Sequence, residues 1–479
     1  MPRVEMTETY DAVVVGAGPN GLGAAATLAN AGRSVLVLEA QDQIGGGTRT
    51  VEATLPGFLH DHCSGVHPLG AASPLFRELD LDAHGLEWVH AEVAAAHPLD
   101  DGRAAALYRS VDQTAEGMGR DARAWRKVVG WVAEHWDAFA DVWLSPMLRF
   151  PRHPLLLARF GPRALLPVTT VAKRAFDDEP ARAALAGFAA HSILPLDHLL
   201  TGAAGIIFNA AGHAVGMPVG RGGSQGIADA LASFIRSKGG EIRTGSPVAS
   251  VDDVPSTRAV LFDLTPRQVL AIAGDRLSSR DRRAFRRYKY GNGSFKLDYA
   301  LSEPVPWKAD ACRDAGTVHV GGTIDDIATS EGEVAAGRHP DRPFVLTSQP
   351  TICDPTRAPA GKHVLWAYCH VPAGSTEDMT DRVEQQLERF APGFRDVVLA
   401  RSVTGPADLE RHNANMIGGD IAGGYTGGLQ IFFRPRISLD PWRVGRDVYL
   451  CSQSTPPGVG VHGMCGFYAA KSALEHSLR

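Results

Sequence analysis

The sequence lacks any run of about eighteen consecutive apolar residues, so no segment reads as a membrane-spanning helix. Its six cysteines are Cys63, Cys312, Cys353, Cys369, Cys451 and Cys465, and none forms a C-x-x-C pair. Neither a zinc site nor a disulfide framework is signalled, and a reducing, intracellular compartment is the expectation. The charge balance is almost even, with 48 basic and 53 acidic residues and a net charge of −5, so there is no electrostatic footprint for nucleic acid. Internal repeats and low-complexity tracts are absent. The opening residues carry Glu5, Glu8 and Asp11 around the first apolar run and lack the basic-then-apolar layout of an export signal. A cytoplasmic protein is expected, at most peripheral at a membrane. Ser224 stands between glycines but lacks the strand–turn–helix setting of a hydrolase nucleophile. In "HDHC", His60 and His62 have no partner cluster, so no metal site is expected.

What is present points to two interleaved domains. A chain of 479 residues is too long for one ordinary core. Its 44% apolar and 21% charged residues are those of a globular protein, and its 52 glycines gather in loops. "DAVVV" reads as a buried strand, "GLGAAATLANA" as a helix stopped by Gly32, and "SVLVLE" as a second strand. Asp112 to Pro218 reads as mostly helical. Gly222 to Val251 resumes a helix and strand, "RAVLFDLTP" adds a strand, and Gly293 to Val371 alternates as antiparallel sheet. A helix follows over about Thr380 to Phe390. The tail, "DVYLCSQSTPPGVGVHGMCGFYAAKSALEH", is strand, glycine loop and helix.

The first unit carries "VVVGAGPNG", with Gly16, Gly18 and Gly21 in G-x-G-x-x-G spacing between strand and helix. Gly16 permits the tight turn, Gly18 lets a diphosphate approach the backbone, and Gly21 allows close packing of helix on strand. The following residues, Pro19 and Asn20, open the helix whose free N–H groups favour phosphate. Glu39 closes the second strand, where a carboxylate accepts ribose hydroxyls, with Ala40 beside it. A second glycine cluster, Gly46-Gly47-Thr48-Arg49, follows at once. It suggests backbone wrapped along a longer ligand, with Arg49 as a cation for phosphate.

This opening resembles that of FAD-dependent amine oxidases and phytoene desaturases, and the phytoene dehydrogenase-related oxidoreductases most of all. The likeness continues through "LPGFLHDHCSGVHPLGAASPLF", "GRGGSQGIADALASFIRSKGGEIRTGSPVASV", "FKLDYALSEPVPW" and "LCSQSTPPGVGVHGMCGFYAA", in the family's order. The resemblance implies an α/β fold. A discontinuous, Rossmann-like FAD-binding domain (8–98, 213–285 and 440–479) carries an inserted substrate domain of mixed sheet plus helices (99–212 and 286–439). It implies tightly held FAD, with Val248 meeting the adenine through its backbone. Gly460, Val461, His462 and Met464 would then bring the tail helix to the flavin, where a helix N-terminus steadies negative charge. Two departures stand out. "CSQSTPPG" offers no clear carboxylate for the ribityl and diphosphate region, and the excursion usual before "RAVLFDLTP" looks trimmed.

Two residues are candidates for the chemistry. Lys296 lies in "GSFKLDYAL", which resembles the amine oxidase strand whose lysine reaches the flavin through water; the alternative is a solvated edge-strand lysine. His67, in "SGVHPLGAASP", titrates near neutrality and can serve as acid or base, or can simply bond to backbone. His462 either shapes the flavin's electronics or caps its helix. Leu185 to Pro218 is apolar enough to wall a hydrophobic chamber, or to be an ordinary buried helix pair. Trp143 to Arg174 holds Arg149, Arg152, Arg159, Arg163, Lys173 and Arg174 without an acid, among Leu, Phe and Pro. It reads as a membrane-surface contact, a subunit contact or a solvated basic face.

The resulting expectation is an FAD-dependent oxidoreductase moving hydride between flavin N5 and a carbon of a lipophilic, isoprenoid- or carotenoid-like substrate. An amine oxidase, a flavin-dependent isomerase and a non-catalytic escort-type binder are the alternatives. With no second dinucleotide unit of convincing context, the electron acceptor is oxygen, a quinone or another carrier. A homo-oligomer stays open.

Overall fold

The structure, a computed structural model, describes residues 9–146, 148, 150 and 152–479. A five-stranded parallel sheet runs in the order Val448–Leu450, Ser256–Phe262, Thr9–Val15, Val35–Leu38, Glu241–Arg243. Its central strands are continuous apolar runs because both faces are covered. Ala12, Val14, Val35, Val37 and Leu261 pack under one helical layer, and Val13, Leu36, Val260 and Phe262 under Val269, Ala273 and Phe285 on the other side. Three segments far apart in sequence therefore meet in one sheet.

The helices of the first layer are Pro19–Asn30, Gln225–Ser237 and Met464–His476. Small residues let the tail helix lie directly on the opening helix. A side chain at Gly23 would come within 2.8 Å of the Gly463 carbonyl, and one at Gly466 would run into the Asn20 carbonyl. Pro19 at the first turn presets the helical φ and loses no needed N–H.

A second, seven-stranded sheet has the order Val398–Thr404, Gly293–Leu301, His363–Val371, Val345–Ser348, Ala315–Val320, Val93–Pro98, Ala104–Leu107. All pairs are antiparallel except Ala315–Val320 with Val93–Pro98. Phe295, Leu297 and Tyr299 pack with Val383, Leu387 and Phe390 of helix Thr380–Phe390. By the two-residue period of a strand, Ser294, Lys296 and Asp298 face the other way. Ser294 and Lys296 share a cavity on that side with Phe188 of helix Glu179–Ala190 and Phe208 of helix Thr201–Ala214.

The domain limits shift in one place. Val93–Pro98, expected in the first FAD-binding segment (8–98), is a strand of the second sheet, paired with Ala315–Val320. All six of its residues are buried, so its pattern did not distinguish one sheet from the other. Among the described residues no strand lies between Arg243 and Ser256, only the short turn Val251–Asp253, so the connection is trimmed.

The basic segment is less free than its sequence implies. Arg152 pairs with Asp141 at 3.2 Å, Lys173 with Asp325 at 2.9 Å, and Arg159 lies 4.1 Å over the Trp131 ring. Arg149 lies outside the described residues. Phe150, Leu155 and Leu165 of the same stretch are 90%, 86% and 58% exposed.

Candidate cofactor and substrate site

A cavity of about 410 Å³ runs from the carboxyl edge of the parallel sheet to the face of the second sheet. Open α/β sheets bind ligands at that edge. At this end the cavity is lined by Gly16, Gly18, Pro19, Asn20, Glu39, Ala40, Gly46, Gly47, Thr48, Arg49 and Val248, as the sequence indicates. Gly16 takes a φ of +102°, which favours glycine. Gly21 sits behind the loop, where any side chain would collide with the Gly16 carbonyl, so its part is packing. The Asn20 side-chain oxygen is buried and without a partner, an acceptor left for a ligand group.

Glu39 accepts from the Ala17 and Gln41 amides at 2.8 and 3.0 Å, which aims its carboxylate at the loop. Arg49 stands 3.5 Å from Glu39 and donates to the carbonyls of Gln43 and His412. Burial lowers its pKa and Glu39 opposes that shift. Arg49 lines the cavity, but its charge is already shared with Glu39.

The tail contributes Gly460 and Val461 to the lining, together with Val459 and Ser452 to Ser454. His462 and Met464, expected at the flavin, stand behind this wall. The His462 Nδ1 accepts from the Met464 amide at 3.0 Å, and its carbonyl accepts from Ser73 Oγ at 2.7 Å. Burial holds the imidazole neutral, its pKa brought down to about 4. His462 caps the tail helix, the second of its two expected roles.

Lys296 lies at the other end of the cavity, 3% exposed and flanked by strands on both sides, so the edge-strand reading is set aside. Its Nζ donates to Asp298 and stands 5.9 Å from the Trp366 ring centroid. Burial raises the Asp298 pKa and the lysine opposes that rise. Across the strands Lys296 pairs with Tyr368, Tyr368 with Leu346, and Leu346 with His319. The opposite wall holds Phe188, His191, Ile193, Phe208 and Met217, so the Leu185 to Pro218 segment does line a chamber.

His67 also lines the cavity. Ser224 Oγ donates to the Ser64 carbonyl at 2.7 Å, which uses its single proton. The His67 Nε2–H therefore donates to Ser224 Oγ at 2.7 Å and leaves Nδ1 as the acceptor. Burial brings its pKa to about 4, so the ring is neutral near pH 7. In "HDHC", His60 faces Asp298 at 3.6 Å and Thr54 at 2.8 Å, while His62 stacks on His412. The intervening Asp61 is held by Arg357 at 2.9 Å.

Sequence reasoning missed several lining residues: Asp263, Trp366, Tyr368 and the turn from His412 to Met416. Only Asp263 carried a readable signal, an acid at the carboxyl end of a buried parallel strand. The others sit on a sheet face or an irregular turn that only the tertiary fold brings together.

A glycine loop on a helix N-terminus, a ribose-directed carboxylate and a long cavity ending at a second sheet define a dinucleotide-dependent oxidoreductase of two-domain type. Residues 21–413 match the family of flavin containing amine oxidoreductases, and the chain belongs to that family. The rat pyridine nucleotide-disulfide oxidoreductase domain-containing protein 2 is 27% identical over 542 residues, covering 96% of this chain and 92% of that protein. An oxidoreductase from Methanosarcina mazei has the same fold, with a TM-score of 0.65 at 18% identity, covering 98% of this chain and 100% of that one. Putrescine oxidase bound to putrescine superposes with a TM-score of 0.62 at 17% identity, over 98% and 99% of the two chains. The cofactor is FAD, and the free Asn20 oxygen and the glycine cradle fit it. When bound, FAD supplies two-electron chemistry; the residues above orient it and exclude water.

Proposed function

We propose that this FAD oxidoreductase moves hydride between flavin N5 and a carbon of an apolar substrate, dehydrogenating it as a phytoene dehydrogenase-related enzyme would. The observation that carries this reading is the charge pattern of the cavity. Among the described residues its carboxylates are Glu39 and Asp263, both at the dinucleotide end. Among the described residues no carboxylate lines the Lys296 end to receive an ammonium group. Its lysine is already paired with Asp298, and burial keeps His191 neutral, with a pKa near 3. Phe188, Ile193, Phe208, Met217, Leu346 and Trp366 suit a hydrocarbon body, whose burial contributes about 25 cal/mol per Å². Lys296, fixed by Asp298, is the group best placed to hold or move a proton there.

A second reading has its own support. Trp366 and Tyr368 line the cavity with ring centroids 5.0 Å apart, and paired aromatic rings can receive an amine. Anaerobic titration of the purified flavoprotein separates the two. Loss of flavin colour with cyclic or linear isoprenoids, and not with alkylamines or putrescine, supports the proposal. Reduction by amines alone would replace it with the second reading. A flavin that no organic substrate reduces would leave a binding protein.

Access for a lipophilic substrate fits the exposed residues Leu148, Phe150, Leu155 and Leu165 beside Arg152, Arg159 and Arg163, which we read as a contact with an anionic membrane surface. Trp143, at the start of that segment, packs edge-on against cavity-lining Phe208 at 6.5 Å. Cosedimentation with anionic but not neutral vesicles, weakened in Phe150→Ser/Leu155→Ser, tests it; no sedimentation with either vesicle contradicts it.

A further inference from the structure

Asp263 lies against the glycine loop at the dinucleotide end of the cavity. It follows strand Ser256–Phe262, whose Phe262 is in register with Val15, and its amide donates to the Val15 carbonyl at 2.8 Å. The carboxyl group thereby comes to rest against the glycine loop. Oδ2 accepts from the Gly21 amide at 2.9 Å, and a Cβ on Gly18 would stand 2.6 Å from it. Asp263 is 6% exposed and lines the cavity.

The surroundings disfavour a negative charge there. Burial and the nearby Glu39 push the Asp263 pKa up to about 7, although the Gly21 and Gly18 amides pull it down. Arg49, the cation of the second glycine cluster, is engaged by Glu39, and His412 is kept neutral with a pKa near 4. The Cys451 and Cys465 thiols behind the site are held protonated by burial. An ionised carboxylate and a diphosphate are both acceptors only, so each would face the other with no proton between them. A neutral carboxyl supplies that proton while its other oxygen keeps the Gly21 bond.

We propose that Asp263 is a cofactor-binding residue that meets the FAD diphosphate as the neutral acid, so that FAD uptake draws one proton from solvent and FAD release returns it. The proposal rests on the FAD site and is independent of the substrate. It also supplies the carboxyl group missing from "CSQSTPPG".

The test uses the purified full-length flavoprotein, diluted to partial dissociation, with released FAD followed by its fluorescence from about pH 6 to about pH 9. One linked proton makes the dissociation constant rise by up to about tenfold per pH unit above about pH 7. Asp263→Asn keeps the Gly21 bond and cannot ionise, so its affinity is expected to stay level over that range. A level wild-type curve, or an Asp263→Asn curve with the wild-type slope, overturns the proposal. So does a slope abolished by Glu39→Gln instead. Should Asp263→Asn fail to fold, the wild type decides alone. About one proton released per FAD to a weakly buffered medium above pH 7 supports the proposal, and none overturns it.

Discussion

Replacing Arg357 with Met should cost more stability than most single changes in this protein. Arg357 is 1% exposed and Asp61 is 3% exposed. The guanidinium donates to Asp61 Oδ2 at 2.9 Å and to the Leu59 carbonyl at 3.0 and 3.2 Å. The other carboxylate oxygen accepts from Thr50 Oγ1 and the Ser224 amide, both at 2.8 Å. One pair thus ties the approach to strand His363–Val371 to the loop that carries His60, Cys63 and His67. Met fills the volume of the stem but leaves a buried carboxylate without its cation, a loss of about 3–5 kcal/mol. Arg357→Met/Asp61→Asn restores neutrality, so its cost should fall short of the sum of the single changes by about 1–3 kcal/mol. Urea unfolding followed by tryptophan fluorescence, with FAD in fixed excess, gives each value. A loss under about 1 kcal/mol in Arg357→Met, or strict additivity, would refute the reasoning. The pH dependence has a definite sign. Burial raises the Asp61 pKa, but Arg357, the Ser224 amide and Thr50 outweigh it and leave it lowered. The pair's contribution is therefore complete above the unfolded carboxylate value of about 3.9 and is lost as pH falls through the lower folded value.

Three further outcomes are expected. Lys296→Met should keep FAD bound while slowing flavin reduction by substrate about 10²-fold or more in stopped flow; an unchanged rate would remove Lys296 from the chemistry. Gly18→Val should abolish FAD retention on a desalting column, because even a Cβ there lies 2.6 Å from Asp263 Oδ2; a yellow variant contradicts the loop assignment. Acid should destabilise the fold well above the carboxylate range. His67, His97, His213 and His462 have pKa values lowered to about 4 by burial, so the unfolded chain binds more protons than the folded one between about pH 6.5 and pH 4. Stability should fall across that window by up to about 1.4 kcal/mol per pH unit for each such histidine, and a flat profile would show that these rings are not buried.

The dinucleotide end was legible because its chemistry is local. Gly16, Gly18, Gly21 and Glu39 lie within one βαβ unit, so spacing alone conveys the turn, the helix start and the ribose acid. The tail was legible in outline, with Gly460 and Val461 at the cavity, but a resemblance cannot tell a ring contact from a helix cap. His462 proved to be the cap, through a bond to the Met464 amide. Lys296 stood out in sequence, yet its burial follows from flanking strands contributed by His363–Val371 and Val398–Thr404, well beyond any local pattern. The same holds for Val93–Pro98, whose short buried run gave no sign of which sheet would claim it. Trp366 and Tyr368 looked like ordinary strand residues, because which face meets a cavity depends on register with Gly293–Leu301.

The most direct measurement is a crystal structure of the protein with FAD. The account predicts the diphosphate on the Gly16–Gly21 loop, the adenosine ribose on Glu39 with Val248 at the adenine, and the ring between Gly460–Val461 and Lys296. A flavin ring remote from Lys296, or a diphosphate bound away from that loop, would contradict it.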